Sequence, residues 1–75
     1  MSRPSGLAIS GGALYVTDAD TSIIHKLSMQ GESLAAVHVA EVKAGGLAGI
    51  TVGPDHKIYF VDRLANRVLR LDSEL

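Results

Sequence analysis

Two aspartates at matching positions are the first candidates for chemistry in this chain. Asp18 ends the stretch Leu-Tyr-Val-Thr-Asp at positions 14–18, and Asp62 ends Ile-Tyr-Phe-Val-Asp at 58–62, a shift of 44 positions. Carboxylates can serve as general acids, bases or metal ligands, but an active site occurs once in a chain, whereas these acids recur. We therefore predict a structural role, in which each carboxylate accepts backbone N–H groups of the following turn. Ligand or metal binding is the alternative.

The other reactive side chains form no recognisable site. Asp20 has no acidic counterpart, because Leu64 stands 44 positions later, and we interpret it as a solvated turn acid. The histidines His25, His38 and His56 lack metal-ligand spacing, and no serine lies in a Gly-x-Ser-x-Gly motif. The glycine pairs 11–12 and 45–46 precede no helix that could bind phosphate. We predict no catalytic residue, no metal site and no cofactor.

Composition limits the partners that the chain can have. Its 75 residues are 47% apolar but only 4% aromatic, with a net charge of −1. This charge balance argues against nucleic acid as a partner, because binding to its phosphates requires a basic surface. The chain has no cysteine, which leaves its redox compartment open. Since no stretch approaches the roughly 20 apolar residues that span a bilayer, and no signal peptide is recognisable, we expect a soluble protein of unknown location without a membrane partner.

Strands explain the pattern better than helices, because glycines interrupt the chain and β-formers fill the intervals. Gly11 and Gly12 favour a tight hairpin. The predicted strands of a first unit are 6–10, 13–18, 23–29 and 33–42, and those of a second are 49–53, 57–62 and 67–72. The segment 33–42 contains Leu-Ala-Ala-Val and could instead begin a helix.

The two units repeat one scheme, and repeats of this length are typical of stacked architectures. Apolar residues occur on both faces of each predicted sheet, so both faces require cover. Four antiparallel strands per unit, with short links, fit a β-propeller blade. We predict an all-β chain of two antiparallel blades, with four strands in residues 1–43 and three in residues 44–75.

Several motifs give the chain a family resemblance over almost its whole length. Pro4-Ser5-Gly6-Leu7-Ala8-Ile9, the two Tyr-x-x-Asp stretches and Asn66-Arg67-Val68-Leu69-Arg70-Leu71 resemble NHL repeats. The Tyr-x-x-Asp element is also similar to the YWTD repeat and to blades of the gluconolactonase and strictosidine-synthase propellers. The resemblance implies a six-bladed propeller. Departures from the pattern occur at 21–23, Thr-Ser-Ile, and at 47–49, Leu-Ala-Gly.

The resemblance also implies where ligands bind and how the ring is completed. The binding rim of such propellers lies at the links between the second and third strands and between blades. Here that rim would contain Arg3, Asp20, Thr21, Lys43, Arg63 and Asn66. The end of the chain just after a third strand, at 67–75, is similar to a closing blade. With two units per chain and six blades per ring, the chain is expected to associate with itself, as a cyclic trimer.

Three functions are compatible with these features. The first is a non-enzymatic propeller module that associates with itself and offers a rim to a protein or small-molecule ligand. The second is the last part of a propeller enzyme, such as a lactonase-like hydrolase or an oxidoreductase-associated propeller. The third is an engineered or excised propeller fragment.

Overall fold

The computed structural model describes residues 3–71 and contains seven β-strands in two antiparallel sheets. Sheet 1 consists of β1 (Pro4–Ser10), β2 (Ala13–Asp18), β3 (Ile23–Ser28) and β4 (Ser33–His38). Sheet 2 consists of β5 (Leu47–Val52), β6 (Ile58–Asp62) and β7 (Arg67–Leu71). Neighbours in the sequence are neighbours in each sheet. The predicted all-β fold of four plus three strands is confirmed.

The hairpin between β1 and β2 forms at the predicted glycines. Gly11 and Gly12 have φ angles of 58° and 76°, and Ser10 pairs with Ala13 across the turn. A two-residue turn with two positive φ angles matches the natural twist of the strands that it joins. In sheet 2 the corresponding hairpin is one residue longer, and His56 adopts the positive φ of 61° at the position of Gly12.

The fourth strand is the clearest departure from the predicted boundaries. Strand, not helix, forms from Ser33, but it ends at His38 rather than at Val42. Beyond it, the N–H of Val39 donates to the carbonyl of Ser22 at 2.8 Å, and the N–H of Val42 donates to Val39 at 3.2 Å. These bonds bend the chain toward the core. As a result, the side chains of both valines are buried there.

Residues 39–46, called the link segment below, join the two sheets. Both Val39 and Val42 are buried in the same apolar cluster as Leu47 at the start of β5. The predicted division between residues 43 and 44 falls inside this segment. Strand β5 begins two residues earlier than predicted, and position 72, predicted to end β7, lies outside the described residues. The assignment of 1–43 and 44–75 as two blades stays a prediction.

The sheets pack face to face through alternate side chains of their strands. We call the side of each sheet that carries Tyr15 or Tyr59 its tyrosine face, and the side that carries Val16 or Phe60 its opposite face. The tyrosine face of sheet 1 packs on the opposite face of sheet 2. The shared core contains these residues from the two sheets: Tyr15, Ile24, Val37, Ile50, Val52, Ile58, Phe60, Leu69 and Leu71.

A glycine lets the first strands of the two sheets approach closely. A Cβ added at Gly6 would lie 2.7 Å from the carbonyl oxygen of Ala48. The hydroxyl of Thr17, a fully buried residue, donates to that same oxygen at 2.8 Å and lies 2.8 Å from the Ser5 hydroxyl. Ser5 in turn donates to the carbonyl of Leu47 at 2.8 Å. The two sheets are thus joined by hydrogen bonds as well as by apolar contact.

No helix of the described residues is long and apolar enough to cross a membrane.

Candidate functional site

The link segment and the turns after β2 and β6 form one continuous edge of the molecule. The N–H of Gly45 donates to the carbonyl of Ala19 in the first turn at 2.7 Å. The N–H of Arg63 in the second turn donates to Gly46 at 2.9 Å. Bonds to both turns fix the link segment between them, so the edge that was predicted as a binding rim is an ordered surface.

The two turns share one positive φ angle at a matching position. Ser22 and Asn66, 44 positions apart, have positive φ angles of 56° and 51°. The Ser22 hydroxyl is buried and donates to the carbonyl of Val42 at 2.8 Å. Asparagine tolerates a left-handed conformation well, whereas serine requires support from its surroundings. The bond to Val42 supplies that support in the first turn.

Asp18 and Asp62 are the last residues of β2 and β6, directly before these turns, and both are almost fully buried, with 1% and 2% exposed. Oδ1 of Asp18 accepts the N–H groups of Arg3 and Asp20, each at 3.1 Å. Oδ1 of Asp62 accepts the N–H of Ala65 at 3.3 Å, and its Oδ2 accepts Nε of Arg67 at 3.2 Å. These carboxylates are therefore engaged by groups of the fold and anchor the turns that follow them.

A cleft of ≈ 440 Å³ opens between the link segment and the turn after β6. Its lining is Glu41, Lys43, Asp62, Leu64, Ala65 and Arg67. Arg67 holds the two sides together, because its Nη2 donates to the carbonyl of Glu41 at 3.1 Å while its Nε pairs with Asp62. Mixed charges beside a leucine and an alanine suit a small polar ligand or a peptide side chain.

The six predicted rim residues lie along this edge, but only Lys43 lines the cleft. Arg3 and Asp20 form an exposed ion pair at 3.5 Å. The Arg63 side chain donates to the carbonyl of Gly45 at 2.8 Å. Thr21 and Asn66 are exposed in the two turns. Whether these residues bind a ligand stays a prediction.

Sequence reasoning missed Glu41 and Arg67 as members of the cleft. Arg67 falls in the strand predicted at 67–72, and Glu41 falls in the strand predicted at 33–42, which ends at His38 in the structure. The one available signal was the pair Asn66-Arg67 directly after a Tyr-x-x-Asp turn, which places a cation near the turn aspartate. The contact between Arg67 and Glu41 joins residues 26 positions apart and leaves no local pattern.

The three histidines lie on separate elements. His25 is half-buried on β3, His38 is exposed at the end of β4, and His56 is exposed in the hairpin between β5 and β6. Within residues 3–71, no three His, Cys, Asp or Glu side chains are grouped so that they could hold a metal ion.

Asp55, in the hairpin between β5 and β6, has a carboxylate with a lowered pKa. The N–H of Lys57 donates to its Oδ1 at 3.1 Å, and the Tyr59 hydroxyl donates to its Oδ2 at 2.9 Å. Both bonds favour the charged form, so the pKa of Asp55 falls below its ordinary value of 3.8. This carboxylate orders the hairpin, and no sequence pattern singles it out.

No family model matches the chain, and a search of curated proteins gives no match. Among solved structures, the chain is similar to a streptogramin B lyase, with 24% identity and a TM-score of 0.77 over 93% of this chain and 23% of the lyase. It is also similar to virginiamycin B lyase from Staphylococcus aureus, with 20% identity and a TM-score of 0.70 over 99% of this chain and 28% of that one. The same figures hold for a catalytically inactive variant of that enzyme with quinupristin.

These neighbours are β-propeller proteins, and at such low identity the likeness shows the fold alone. The propeller architecture predicted from the repeats is thereby confirmed, whereas the NHL family is not singled out among propellers. The chain spans about a quarter of the length of the enzymes that it matches, between 23% and 28%.

Proposed function

We propose that the chain is a non-enzymatic β-propeller module that associates with itself into a ring and offers the rim of that ring to a protein or small-molecule ligand. The observation that carries this proposal is the exposed apolar surface on the outward side of both sheets. Leu7, Ile9 and Leu34 are exposed on sheet 1, and Val61 and Val68 on sheet 2. Contiguous exposed apolar surface marks interaction sites in soluble proteins.

A ring of three chains fits the number of sheets in each chain. Two sheets per chain, combined with the six blades of the propellers that the sequence resembles, require three copies. Repeat architectures generally need about three or more units for stability, and a chain of two units is below that number. A cyclic arrangement uses every outward sheet face and leaves none exposed.

Light scattering coupled to size-exclusion chromatography tests this assembly directly. At micromolar concentration we expect a mass of three chains. A folded monomer over the whole accessible concentration range contradicts self-association. A stable dimer contradicts the trimer and points instead to pairing through the outer edge of β7, which no strand of residues 3–71 covers.

The cleft beside Arg67 is the best ligand site along the rim. It combines a buried carboxylate, two cations and the apolar side chains of Leu64 and Ala65. In a symmetric ring it would occur once per chain, which suits a platform that binds several identical ligands. Chemical-shift changes that cluster on Glu41, Lys43 and Leu64 during titration with a peptide or metabolite library would identify the ligand.

A second candidate is part of a propeller enzyme, and the similarity to the solved streptogramin B and virginiamycin B lyase structures favours it. In that case catalytic groups would come from other blades or be assembled between chains. Metal analysis of the purified chain separates the candidates. Stoichiometric divalent metal would support the enzyme, whereas metal-free protein with intact self-association would support the binding module.

A further inference from the structure

The outward face of sheet 2 is its tyrosine face. Its residue pattern matches that of the tyrosine face of sheet 1, which is buried between the two sheets. A shift of 44 positions relates Ile24 to Val68 and Thr17 to Val61. Ile24 and Thr17 are fully buried, since the tyrosine face of sheet 1 packs on sheet 2. Val68, by contrast, is 68% exposed on the tyrosine face of sheet 2. Within residues 3–71 no second sheet covers that face.

The outward face of sheet 1 shows the reciprocal relation. Its Leu14 and Val16 correspond to Ile58 and Phe60, which form the centre of the interface between the sheets. Its Leu7 and Ile9 correspond, with a shift of 43, to the core residues 50 and 52, yet they are 60% and 63% exposed. The opposite face of sheet 1 therefore has the apolar pattern of the surface on which a tyrosine face packs.

Gly49 indicates that another backbone packs closely on the outward face of sheet 2. It corresponds to Gly6, whose missing Cβ lets β1 approach the backbone of β5. A Cβ at Gly49 would meet no atom within 4 Å, and this residue does not have a positive φ. Glycine weakens a strand interior and often marks a close approach by another backbone. Among residues 3–71 no backbone approaches Gly49 from that side.

We infer that a second copy of this chain binds head to tail, with the opposite face of its sheet 1 on the tyrosine face of sheet 2. This inference rests on the self-association proposed above and assigns the surfaces that produce it. The contact repeats the interface between the two sheets of one chain, and the glycine of β5 takes the place that Gly6 has there. Because the two surfaces differ, the contact is heterologous and can close into a ring.

Two variants, each with one surface blocked, test the assignment. Ile9→Glu places a charge on the outward face of sheet 1, and Val68→Glu places one on the outward face of sheet 2. Both sites are exposed, so each variant should keep the circular dichroism spectrum of the parent. Head-to-tail binding requires both surfaces, and we therefore expect each variant alone to be a monomer. A mixture of equal amounts should form a heterodimer and nothing larger, because each partner contributes one intact surface.

The possible results separate this inference from the proposed self-association. If the parent chain is itself a monomer, self-association and the inference both fail. If the parent is an oligomer and Val68→Glu alone still pairs, for example through two copies of the sheet 1 surface, the inference fails while self-association stands. The inference also fails if both variants are monomers and their mixture stays monomeric.

The matched glycines provide a second, independent measurement. We expect Gly49→Ala to weaken the association of the parent at least about tenfold, since the added Cβ meets the backbone of the next copy as it would at Gly6. In the monomeric Val68→Glu background the same change should not lower the unfolding midpoint. Gly6→Ala should lower that midpoint, because the clash with Ala48 lies within one chain. Equal effects of the two glycine changes in the monomer would overturn the role assigned to Gly49.

Discussion

The hydroxyl of Thr17 forms a buried polar connection between the two sheets. It donates to the carbonyl of Ala48 and contacts the Ser5 hydroxyl in a fully buried position. Thr17→Val keeps the side-chain shape and leaves that carbonyl without its donor. We expect the free energy of unfolding to fall by about 1–2 kcal/mol, the usual cost of a lost buried hydrogen bond. Urea unfolding at a fixed protein concentration measures it.

The control for this change is Thr21→Val, at an exposed position in the turn after β2. Surface substitutions of this kind usually change stability by less than about 0.5 kcal/mol. Valine already occupies position 61, which corresponds to Thr17 at a shift of 44 positions, so the strand backbone accepts valine at the site of the test variant. Equal effects of Thr17→Val and Thr21→Val would show that the hydroxyl contributes nothing to the packing of the sheets.

Asp55 gives the hairpin between β5 and β6 a defined pH dependence. The N–H of Lys57 and the hydroxyl of Tyr59 lower its pKa below 3.8 in the folded chain. A depressed folded pKa contributes stability that is fully present above the unfolded pKa and is lost as pH falls through the folded value. We therefore expect part of the stability to disappear below about pH 4.

An NMR titration of the Asp55 carboxyl should give a pKa below 3.8 in the parent and a higher one in Tyr59→Phe, which lacks one of the two donors. Asp55→Asn should remove this contribution to the pH dependence. An unshifted pKa in the parent would show that the hairpin bonds are not maintained in solution.

The first hairpins of the two sheets have different residues at one matching position with a positive φ angle, and the effect of this difference is testable. His56 has a left-handed φ of 61° where sheet 1 has Gly12. A left-handed backbone conformation costs a residue other than glycine about 1–2 kcal/mol. Glycine avoids this cost, but its greater freedom in the unfolded chain offsets part of the gain. We expect His56→Gly to raise the free energy of unfolding by about 0.5–1 kcal/mol, as measured by thermal or urea unfolding.

His38→Gly is the matched control, because His38 is exposed on a regular strand without a positive φ. There the same replacement should destabilise the chain by roughly 0.5–1 kcal/mol. If the free energy of unfolding changes with opposite signs at the two histidines, the effect comes from the backbone conformation at position 56. If both changes have the same sign, the effect comes from the loss of the imidazole.

The elements that the sequence predicts well are those whose causes are local. The turn at Gly11 and Gly12 and the alternation in 13–18 depend on neighbouring residues, and the structure has them at the predicted places. The end of β4 depends on a bond between Val39 and Ser22, far apart in the chain, and was misplaced. The cleft was missed for the same reason, since Arg67 joins the link segment to the turn by long-range contacts.

At the scale of the whole molecule, the decisive property is that residues 3–71 form two sheets with four faces, of which only two pack on each other. The described chain measures 31 × 28 × 16 Å, and its smallest dimension accommodates just two packed sheets. A chain of this size buries only about 60% of its unfolded surface even when its faces are covered. Its stability should therefore depend on contacts with further copies.

Thermal unfolding at several protein concentrations measures that dependence. Association stabilises the folded chain by mass action, so the midpoint should rise with concentration, by roughly 4 °C or more for each tenfold increase in a trimer of this chain length. Val68→Glu should abolish this rise and unfold at one lower temperature throughout, because it blocks an outward face without altering the shared core. A parent midpoint that stays constant over about a hundred-fold range of concentration would mean that two stacked sheets are stable alone. In that case the exposed apolar faces would have to serve a different partner.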